Sequence, residues 1–365
     1  MPELHDLLAD SANKAIGFFE SCLKDDGTLG ERATDLSCYY KVAMMFLVSG
    51  KAAFANRVLD YIKAHFLQAS GDFMTGADIK SAKGEYTEFW GYTNGWVVRA
   101  AQMCGREDIA GPGLEYLAKY AHPSNGGCLT HQLDVESPDL TTDVLMTAHM
   151  GLIHLEGERI DLALKAGDYL CAASDKQPEL ERGFYLRLNA DSNVITEYPD
   201  AAAAVMIVER AKPGQLYFML GYPIAYLTLL FEKTGDVKYL DSAKRYADFA
   251  LSCHEDFYIS NFSHKVAWSL SLLYRHERDP RYLDTISRIT THFTKSQNDT
   301  GTWYNPDEDI NTAFDQSAEI AIWLIEIAKN VAPEGAVVPF FSESVAAVDG
   351  GAGVATDGAA AAAGK

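Results

Sequence analysis

Gly235-Asp236-Val237-Lys238-Tyr239-Leu240-Asp241 and Asp279-Pro280-Arg281-Tyr282-Leu283-Asp284 are two copies of one motif, 43 residues apart from Tyr239 to Tyr282. Each copy follows an apolar, helix-like run and begins an amphipathic one. Repeats of this size are typical of folds that stack one structural unit, because a single helical hairpin cannot bury its own apolar face. The chain is therefore predicted to consist of repeated helical hairpins.

Two kinds of helix alternate along the sequence. One kind is apolar nearly all round, as expected of a helix that is buried on every side. Helices of this kind are predicted at 35–49, 88–104, 141–156, 214–233, 262–276 and 312–330. The other kind has one apolar stripe and a charged face. Helices of this second kind are predicted at 3–24, 53–68, 113–121, 159–173, 237–253 and 280–295.

The links between the helices also alternate. Short links rich in glycine, aspartate and proline lead from a buried helix to an amphipathic one, as in Thr234-Gly235-Asp236. The returning links are longer and pair glycine with an aromatic residue, as in Gly301-Thr302-Trp303-Tyr304. In one of them, Phe184–Leu188 and Val194–Tyr198 flank Asn189-Ala190-Asp191-Ser192, a pattern that predicts a small β-hairpin.

Six buried and six amphipathic helices in alternation predict an all-α (α/α)6 barrel, or toroid, with an inner ring inside an outer ring. An extended solenoid is the competing arrangement, but it would leave one face of each apolar inner helix in contact with water. Residues 1–331 are expected to form this toroid as the catalytic domain. Residues 332–365 are expected to be an Ala/Gly-rich C-terminal extension, disordered from about residue 345.

This layout resembles the six-hairpin glycosidase superfamily and its relatives. The resemblance covers the order of helices from residue 1 to about 331. That group includes unsaturated-uronyl hydrolases, N-acylglucosamine 2-epimerase-like isomerases, several polysaccharide lyases and terpenoid-cyclase-like toroids. The resemblance implies a small-molecule enzyme, most often one that acts on carbohydrates.

Composition excludes several classes of partner. The formal charge of −20 disfavours binding to nucleic acid or to an anionic membrane surface. No signal-peptide pattern is present at the N-terminus, and the six cysteines contain no CxxC pair, so we expect a cytoplasmic protein with free thiols. The cysteines and the ten histidines show no metal-ligand spacing. We expect a small-molecule substrate, no metal and no cofactor.

The predicted active site lies at the end of the ring where the inner helices begin and the long loops gather. The candidate catalytic residues near these helix starts are Asp35, Tyr39, Glu88, His264 and Asp315. Asp315 and His264 are predicted to form an acid/base pair, since a carboxylate can hold the tautomer of an imidazole. For Asp35, Glu88 and Asp315 the alternative is helix capping, because carboxylates also satisfy free N–H groups in a first helical turn.

Aromatic and further polar residues near the same helix starts are candidate substrate-binding residues. Aromatic rings can stack on a sugar or shape an apolar pocket, although filling the toroid interior is the alternative role for most of them. The candidates are Trp90, Tyr92, Asn94, Asp143, His149, Tyr217, Tyr222, Trp268, Trp303 and Glu319.

Three functions remain open at this point. The first is a carbohydrate-active hydrolase, lyase or epimerase, which the number of carboxylates at the helix starts favours. The second is an isomerase, dehydratase or cyclase for an apolar terpenoid or polyketide-like substrate, favoured by the scarcity of lysine and arginine at the inner-helix starts. The third is a non-catalytic toroid that binds a peptide or another protein.

Overall fold

The computed structural model describes residues 2–133 and 140–332. Within these residues, helices of very different burial alternate along the chain, as predicted. The helices are α1 (Pro2–Cys22), α2 (Val42–Val48), α3 (Ala52–His65), α4 (Glu85–Glu88), α5 (Trp90–Met103), α6 (Glu107–Leu117), α7 (Val144–Glu156), α8 (Ile160–Asp175), α9 (Ala203–Met206), α10 (Phe218–Thr234), α11 (Val237–Leu251), α12 (His264–Glu277), α13 (Pro280–Ser296) and α14 (Ile310–Val331).

The inner helices form a closed ring. α2, α5, α7, α10, α12 and α14 contact one another in this order, and α14 also packs against α2. Each inner helix has an outer partner, in the pairs α2–α3, α5–α6, α7–α8, α10–α11 and α12–α13, while α1 packs on α14. The fold is therefore an (α/α)6 toroid, and the extended solenoid is excluded.

Burial explains why the two kinds of helix occupy different layers. All residues from Val144 to Ile153 in α7 are buried, because neighbours cover this helix on every side. In α13 the buried apolar residues Tyr282, Ile286, Ile289 and Phe293 instead form one stripe. No helix within the described ranges is both long enough and apolar enough to cross a lipid bilayer.

The repeated motif is a helix start. Asp236 and Asp279 are the N-cap residues of α11 and α13, and their carboxylates accept from the backbone N–H groups of Lys238 and Arg281. The tyrosines that follow, Tyr239 and Tyr282, are buried. The motif therefore starts each outer helix and directs an aromatic ring into the core.

Two predicted helices differ from the observed ones. Helix α6 begins at Glu107 and not at residue 113, since Glu107 and Asp108 in its first turn complement the helix dipole, and Pro112 lies within the helix. The first inner helix, predicted at 35–49, is interrupted. A 3-10 turn spans Leu36–Cys38, and the α-helix begins only at Val42.

Short strands lie in the long loops. β1 (Cys128–Leu129), β2 (Thr142–Asp143) and β4 (Arg187–Leu188) form an antiparallel sheet in the order β1-β2-β4, and β3 (Gly183–Tyr185) pairs with β5 (Ile207–Glu209). The predicted β-hairpin is confirmed around its turn, where Leu188 pairs with Val194. Of the segments expected to extend it, Phe184 and Tyr185 pair with β5, and residues 195–198 form no strand. Since β2 leads directly into α7, the three-stranded sheet lies at the end of the ring where inner helices begin.

The Ala/Gly-rich extension expected at the C-terminus lies beyond residue 332 and therefore outside the described residues.

Glycines in the returning loops pack against the next outer helix along the ring. Gly27, Gly71, Gly126 and Gly301 have φ angles of 88°, 88°, 80° and 91°. A Cβ atom at Gly301 would lie 2.5 Å from the carbonyl oxygen of Lys14 in α1. The three other glycines would meet a backbone carbonyl of α3, α6 or α8 in the same way. The contact at Gly301 is the one that joins the last hairpin to the first helix.

We predict that Gly301→Ala destabilises the protein by about 2 kcal/mol more than Gly30→Ala, because the added methyl group must displace the backbone of α1. Gly30 is a matched control, since it also has a positive φ (107°) but has open space where the added methyl group would lie. Urea unfolding followed by circular dichroism measures both values. Equal losses for the two variants would mean that the close approach to α1 does not contribute to stability.

Candidate active site

A cavity of about 410 Å³ lies where the inner helices begin. One side of the cavity is apolar and is formed by Phe89, Leu145, Val205, Leu216, Phe218 and Phe262. The other side is polar and is formed by Tyr40, Lys41, Glu85, Tyr86, Glu88, Tyr92, Lys265, Asp315 and Gln316. The cavity is thus at the predicted end of the toroid and combines an apolar surface with a charged one.

Asp315 is the most completely hydrogen-bonded carboxylate of the polar side. Its Oδ1 atom accepts from the hydroxyl of Tyr40 at 2.6 Å and lies 2.6 Å from Nζ of Lys41. Its Oδ2 atom accepts from the Tyr86 hydroxyl at 3.0 Å and from the Gln316 amide at 2.8 Å. Asp315 does not cap its helix, because the N-cap of α14 is Asp309. The alternative of helix capping therefore does not apply to Asp315.

Glu319 lies one turn further along α14 and is fully buried. Its Oε2 atom is 2.5 Å from Nζ of Lys41 and 3.0 Å from Nζ of Lys265. Its Oε1 atom accepts from the Tyr92 hydroxyl and from the Trp323 indole, both at 3.3 Å. Lys41 thus bridges the two carboxylates of α14, and Lys265 pairs with the deeper one.

The lysines keep both carboxylates ionised. Burial alone would raise the pKa of Asp315, but Lys41 and Lys83 outweigh it and lower the pKa below its usual range. Burial likewise opposes ionisation of Glu319, and Lys265 and Lys41 hold its pKa well below the usual value. Burial raises the pKa of the Tyr40 and Tyr86 phenols well above normal, so both remain proton donors.

His264 does not form the expected pair with Asp315. The imidazole is fully buried, and its Nε2 atom lies 3.8 Å from Oε2 of Glu319. Neither ring nitrogen has a hydrogen-bond partner among the described residues. Burial and the charge of Lys265 lower the pKa of His264 to about 4, so the ring is neutral at physiological pH. His264 lies behind Glu319 and does not line the cavity.

Glu88 lines the cavity as an ion-paired carboxylate. Its Oε1 atom is 2.5 Å from Nη2 of Arg187 and 3.2 Å from Nε2 of His131. Burial opposes ionisation, but these two partners lower the pKa of Glu88 to about 2. Arg187 also reaches Asp143, which is the N-cap of α7. Glu88 is therefore anionic at neutral pH, and Asp143 has a capping role.

Asp35 lies outside the cavity and organises the first long loop. Its carboxylate accepts from the backbone N–H groups of Ser37 and Ala82 and from the hydroxyls of Thr75 and Ser81. Asp35 thereby caps the 3-10 turn and ties it to the loop before α4. This capping explains why the first inner helix is interrupted, and the interruption is where Tyr40 and Lys41 lie.

The other candidate residues, apart from Tyr92, have contacts within the protein core. The Tyr39 hydroxyl donates to Ala33, Trp90 donates to Asp72, and Asn94 contacts Asp72 and Lys80. The remaining core contacts are His149 to the carbonyl oxygen of Tyr92, Tyr217 to Asp256, Tyr222 to the Tyr92 hydroxyl, Trp268 stacked on Trp323, and Trp303 to the carbonyl oxygen of Phe293.

Sequence reasoning missed the lysines of the site. The expected scarcity of basic residues at the inner-helix starts is wrong, because Lys41 and Lys265 both line the cavity and Lys83 lies 3.7 Å from Asp315. A signal was present, since Lys265 is a charged residue in the first turn of a helix that the sequence predicts to be buried. Tyr86 was missed because it belongs to the short helix α4, which no repeat predicts.

The described residues include no group of three histidine, cysteine, aspartate or glutamate side chains that could hold a metal ion. The expectation that the chemistry needs no metal stays a prediction.

Comparison with solved structures finds similar folds. A D-mannose isomerase has 14% sequence identity and a TM-score of 0.63, with 88% of this chain and 97% of that chain covered. A glycoside hydrolase family 76 α-mannanase of Bacteroides thetaiotaomicron has 12% identity and a TM-score of 0.59, covering 88% and 95%. An unsaturated glucuronyl hydrolase specific for heparin has 12% identity and a TM-score of 0.56, covering 89% and 96%.

No protein-family model matches the chain, and no curated protein sequence matches it. At such low identity the similarity shows the fold alone. The fold is an (α/α)6 toroid like that of these enzymes, so the resemblance seen in the order of helices is confirmed at the level of the fold.

We predict that Glu319→Gln destabilises the protein by about 3 kcal/mol, because removing one partner of a buried ion pair leaves uncompensated charge. Glu326→Gln is the control on the same helix, since Glu326 pairs with Lys329 near the surface, and it should cost at most about 1 kcal/mol. Chemical denaturation at pH 7 measures both. A loss at Glu319 no larger than that at Glu326 would show that the buried pairs are dispensable for stability.

Proposed function

We propose that this protein is an enzyme that transfers protons on a small carbohydrate bound in the cavity between the inner-helix starts. The observation that carries the proposal is Asp315, an ionised carboxylate on the cavity surface that is surrounded by proton donors. The phenols of Tyr40 and Tyr86 and the ammonium of Lys41 all lie within 3.0 Å of its oxygens. A base beside fixed donors is the arrangement that acid/base catalysis requires.

Among carbohydrate reactions, isomerisation or epimerisation fits this arrangement best. A glycosidase needs two carboxyl groups on either side of the bond that it cleaves, one of them protonated. Glu88 lines the cavity, but its pKa of about 2 makes it a poor general acid. Glu319, the other buried carboxylate, lies beneath Lys41 and Lys265. Glu85 is an exposed carboxylate at the edge of the cavity and pairs with Lys83 at 3.1 Å. What remains is one carboxylate base, Asp315, beside hydrogen-bond donors that can bind a carbonyl oxygen. This combination suits removal of the proton from the carbon next to a carbonyl group.

In this mechanism Asp315 accepts the proton from the carbon next to the substrate carbonyl. Lys41 has a third N–H group beyond those that contact Asp315 and Glu319, and it stabilises the negative charge that develops on the carbonyl oxygen. The Tyr40 and Tyr86 phenols turn from Asp315 to this oxygen once Asp315 holds the proton. In isomerisation the carbonyl oxygen takes a proton from one of these donors, and the neighbouring hydroxyl group gives its proton back to that donor. Protonated Asp315 then delivers its proton to the former carbonyl carbon. The apolar side of the cavity limits the access of water to the intermediate. The similarity in fold to a D-mannose isomerase supports testing hexoses first.

A second candidate function is isomerisation of an apolar small molecule. The observation that favours it is the continuous apolar side of the cavity, which includes Val205, Leu216 and Phe218. Such a surface would bind a terpenoid-like or polyketide-like skeleton through burial of apolar area. Both functions use the polar side of the cavity for catalysis. They differ in the kind of substrate that contacts the apolar side of the cavity.

We also propose a cytosolic location. All six cysteines lie in the described part of the chain and none of them forms a disulfide, which suits a reducing compartment.

We predict that Asp315→Asn lowers kcat by a hundredfold or more, because the amide cannot accept the proton. The fold should persist, since Lys41 keeps its contact with Glu319. The measurement is deuterium incorporation next to the carbonyl of D-mannose, D-glucose and D-fructose in D2O, followed by NMR. Products with an altered carbonyl position or configuration identify isomerisation or epimerisation.

Asp72→Asn is the matched control, because Asp72 is also a buried aspartate paired with a lysine, Lys80, but does not line the cavity. This variant should lose stability and keep its activity per folded molecule. Wild-type protein that incorporates no deuterium into any sugar of the panel, or Asp315→Asn as active as wild type, would contradict the proposal. Deuterium incorporation into apolar ketones alone would favour the second function.

A further inference from the structure

Lys265 differs from Lys41 in how it is held. Lys41 contacts both carboxylates of α14, at 2.6 Å and 2.5 Å. Lys265 has one carboxylate partner among the described residues, Oε2 of Glu319 at 3.0 Å, and Lys41 contacts this oxygen more closely. The Nζ atom of Lys265 lies 4.8 Å and 4.9 Å from the ring centres of Phe218 and Phe262. Lys265 is therefore a buried amine on the cavity surface with a shared counter-ion.

This environment makes the neutral amine easier to form than in an exposed lysine. Burial disfavours the charged form of Lys265, the nearby charge of Lys41 adds to this effect, and Glu319 opposes both. The net result lowers the pKa of Lys265 to about 8. At neutral pH the fraction of free amine is then roughly two-hundredfold larger than for an ordinary lysine with a pKa of ~10.4. A lysine beside a second cation in an apolar pocket is a recognised form of activated nucleophile.

We propose that Lys265 is a nucleophile of the site and forms an imine with the carbonyl carbon of an open-chain aldose or ketose. This inference rests on the proposed function and narrows its substrate class to compounds with a free carbonyl group.

The step is balanced without an oxidant or a reductant. The Nζ lone pair attacks the carbonyl carbon, and the carbonyl oxygen gains a proton from the adjacent donors to give a carbinolamine. The nitrogen passes one proton back to the donors and keeps its second. The hydroxyl group then takes up a proton and leaves as water, and the nitrogen lone pair forms the carbon–nitrogen double bond of a protonated imine. The protonated imine withdraws electrons from the neighbouring carbon, so its proton passes more readily to Asp315. Addition of water reverses the sequence and releases the product.

A second buried lysine, Lys80, provides a comparison with Lys265 within the same protein. Lys80 is equally buried, and burial lowers its pKa to about 8 as well. Lys80 is held by Asp72 and Asn94, however, and it does not line the cavity. If a low pKa alone governed reaction with carbonyl compounds, the two lysines would react alike. If access from the cavity is required, only Lys265 would react rapidly.

The experiment traps the imine in the full-length protein. Glyceraldehyde and sodium cyanoborohydride are added at pH 7.5, and peptide mass spectrometry follows secondary-amine formation at each lysine. We expect modification of Lys265 at least tenfold faster than modification of Lys80 or of surface lysines, and loss of this fast phase in Lys265→Arg. Modification of Lys265 no faster than that of surface lysines, or fast modification at Lys80 or Lys41 instead, would overturn the proposal.

A second readout separates this proposal from the proposed function. Deuterium incorporation by Lys265→Arg should fall by a hundredfold or more while circular dichroism shows a folded protein. A folded Lys265→Arg variant that exchanges deuterium within twofold of wild type would overturn the imine step and leave the acid/base function intact. Fast trapping at Lys265 in a wild-type protein that exchanges no deuterium would support the amine and contradict the proposed function.

Discussion

The pairing of two carboxylates on α14 with lysines from two other inner helices is the interaction on which the rest of the site depends. Asp315 and Glu319 are one turn apart, so both face the ring interior. Lys41 comes from the start of α2 and Lys265 from the start of α12, the helices on either side of α14. These ion pairs therefore join the last hairpin of the chain to the first and the fifth.

Burial of four charged side chains carries a desolvation cost that opposes folding. Hydrogen bonds and aromatic contacts around the charges offset this cost. Phenols of Tyr40, Tyr86 and Tyr92 donate to the same carboxylates, and the ring of Tyr40 lies 4.9 Å from Nζ of Lys41. Because the charged groups are almost fully buried, each of them shifts the pKa values of its neighbours strongly. The same arrangement that keeps Asp315 ionised also lowers the pKa of Lys265. One electrostatic network thus gives the site both its base and its amine.

The fold could be predicted from the sequence, but several residues of the site could not. The Asp-x-x-Tyr repeat and the alternation of helix types predicted twelve helices, because hairpin stacking leaves a periodic pattern of burial. Asp315 followed from the same pattern. Lys41 did not, because the Asp35 cap interrupts the first inner helix and redirects the chain just before that residue. Tyr86 comes from a loop-borne helix. Residues that depend on breaks in the repeat are invisible to an analysis of periodicity.

The coupling between Lys41 and Glu319 tests the central claim most directly. A double-mutant cycle of Lys41→Met, Glu319→Gln and the combined variant, measured by urea unfolding, isolates the pairwise free energy from the other effects of each change. A coupling free energy of about 2 kcal/mol or more is the result expected if the buried network joins the hairpins as described. Additive effects, with a coupling below about 0.5 kcal/mol, would contradict it.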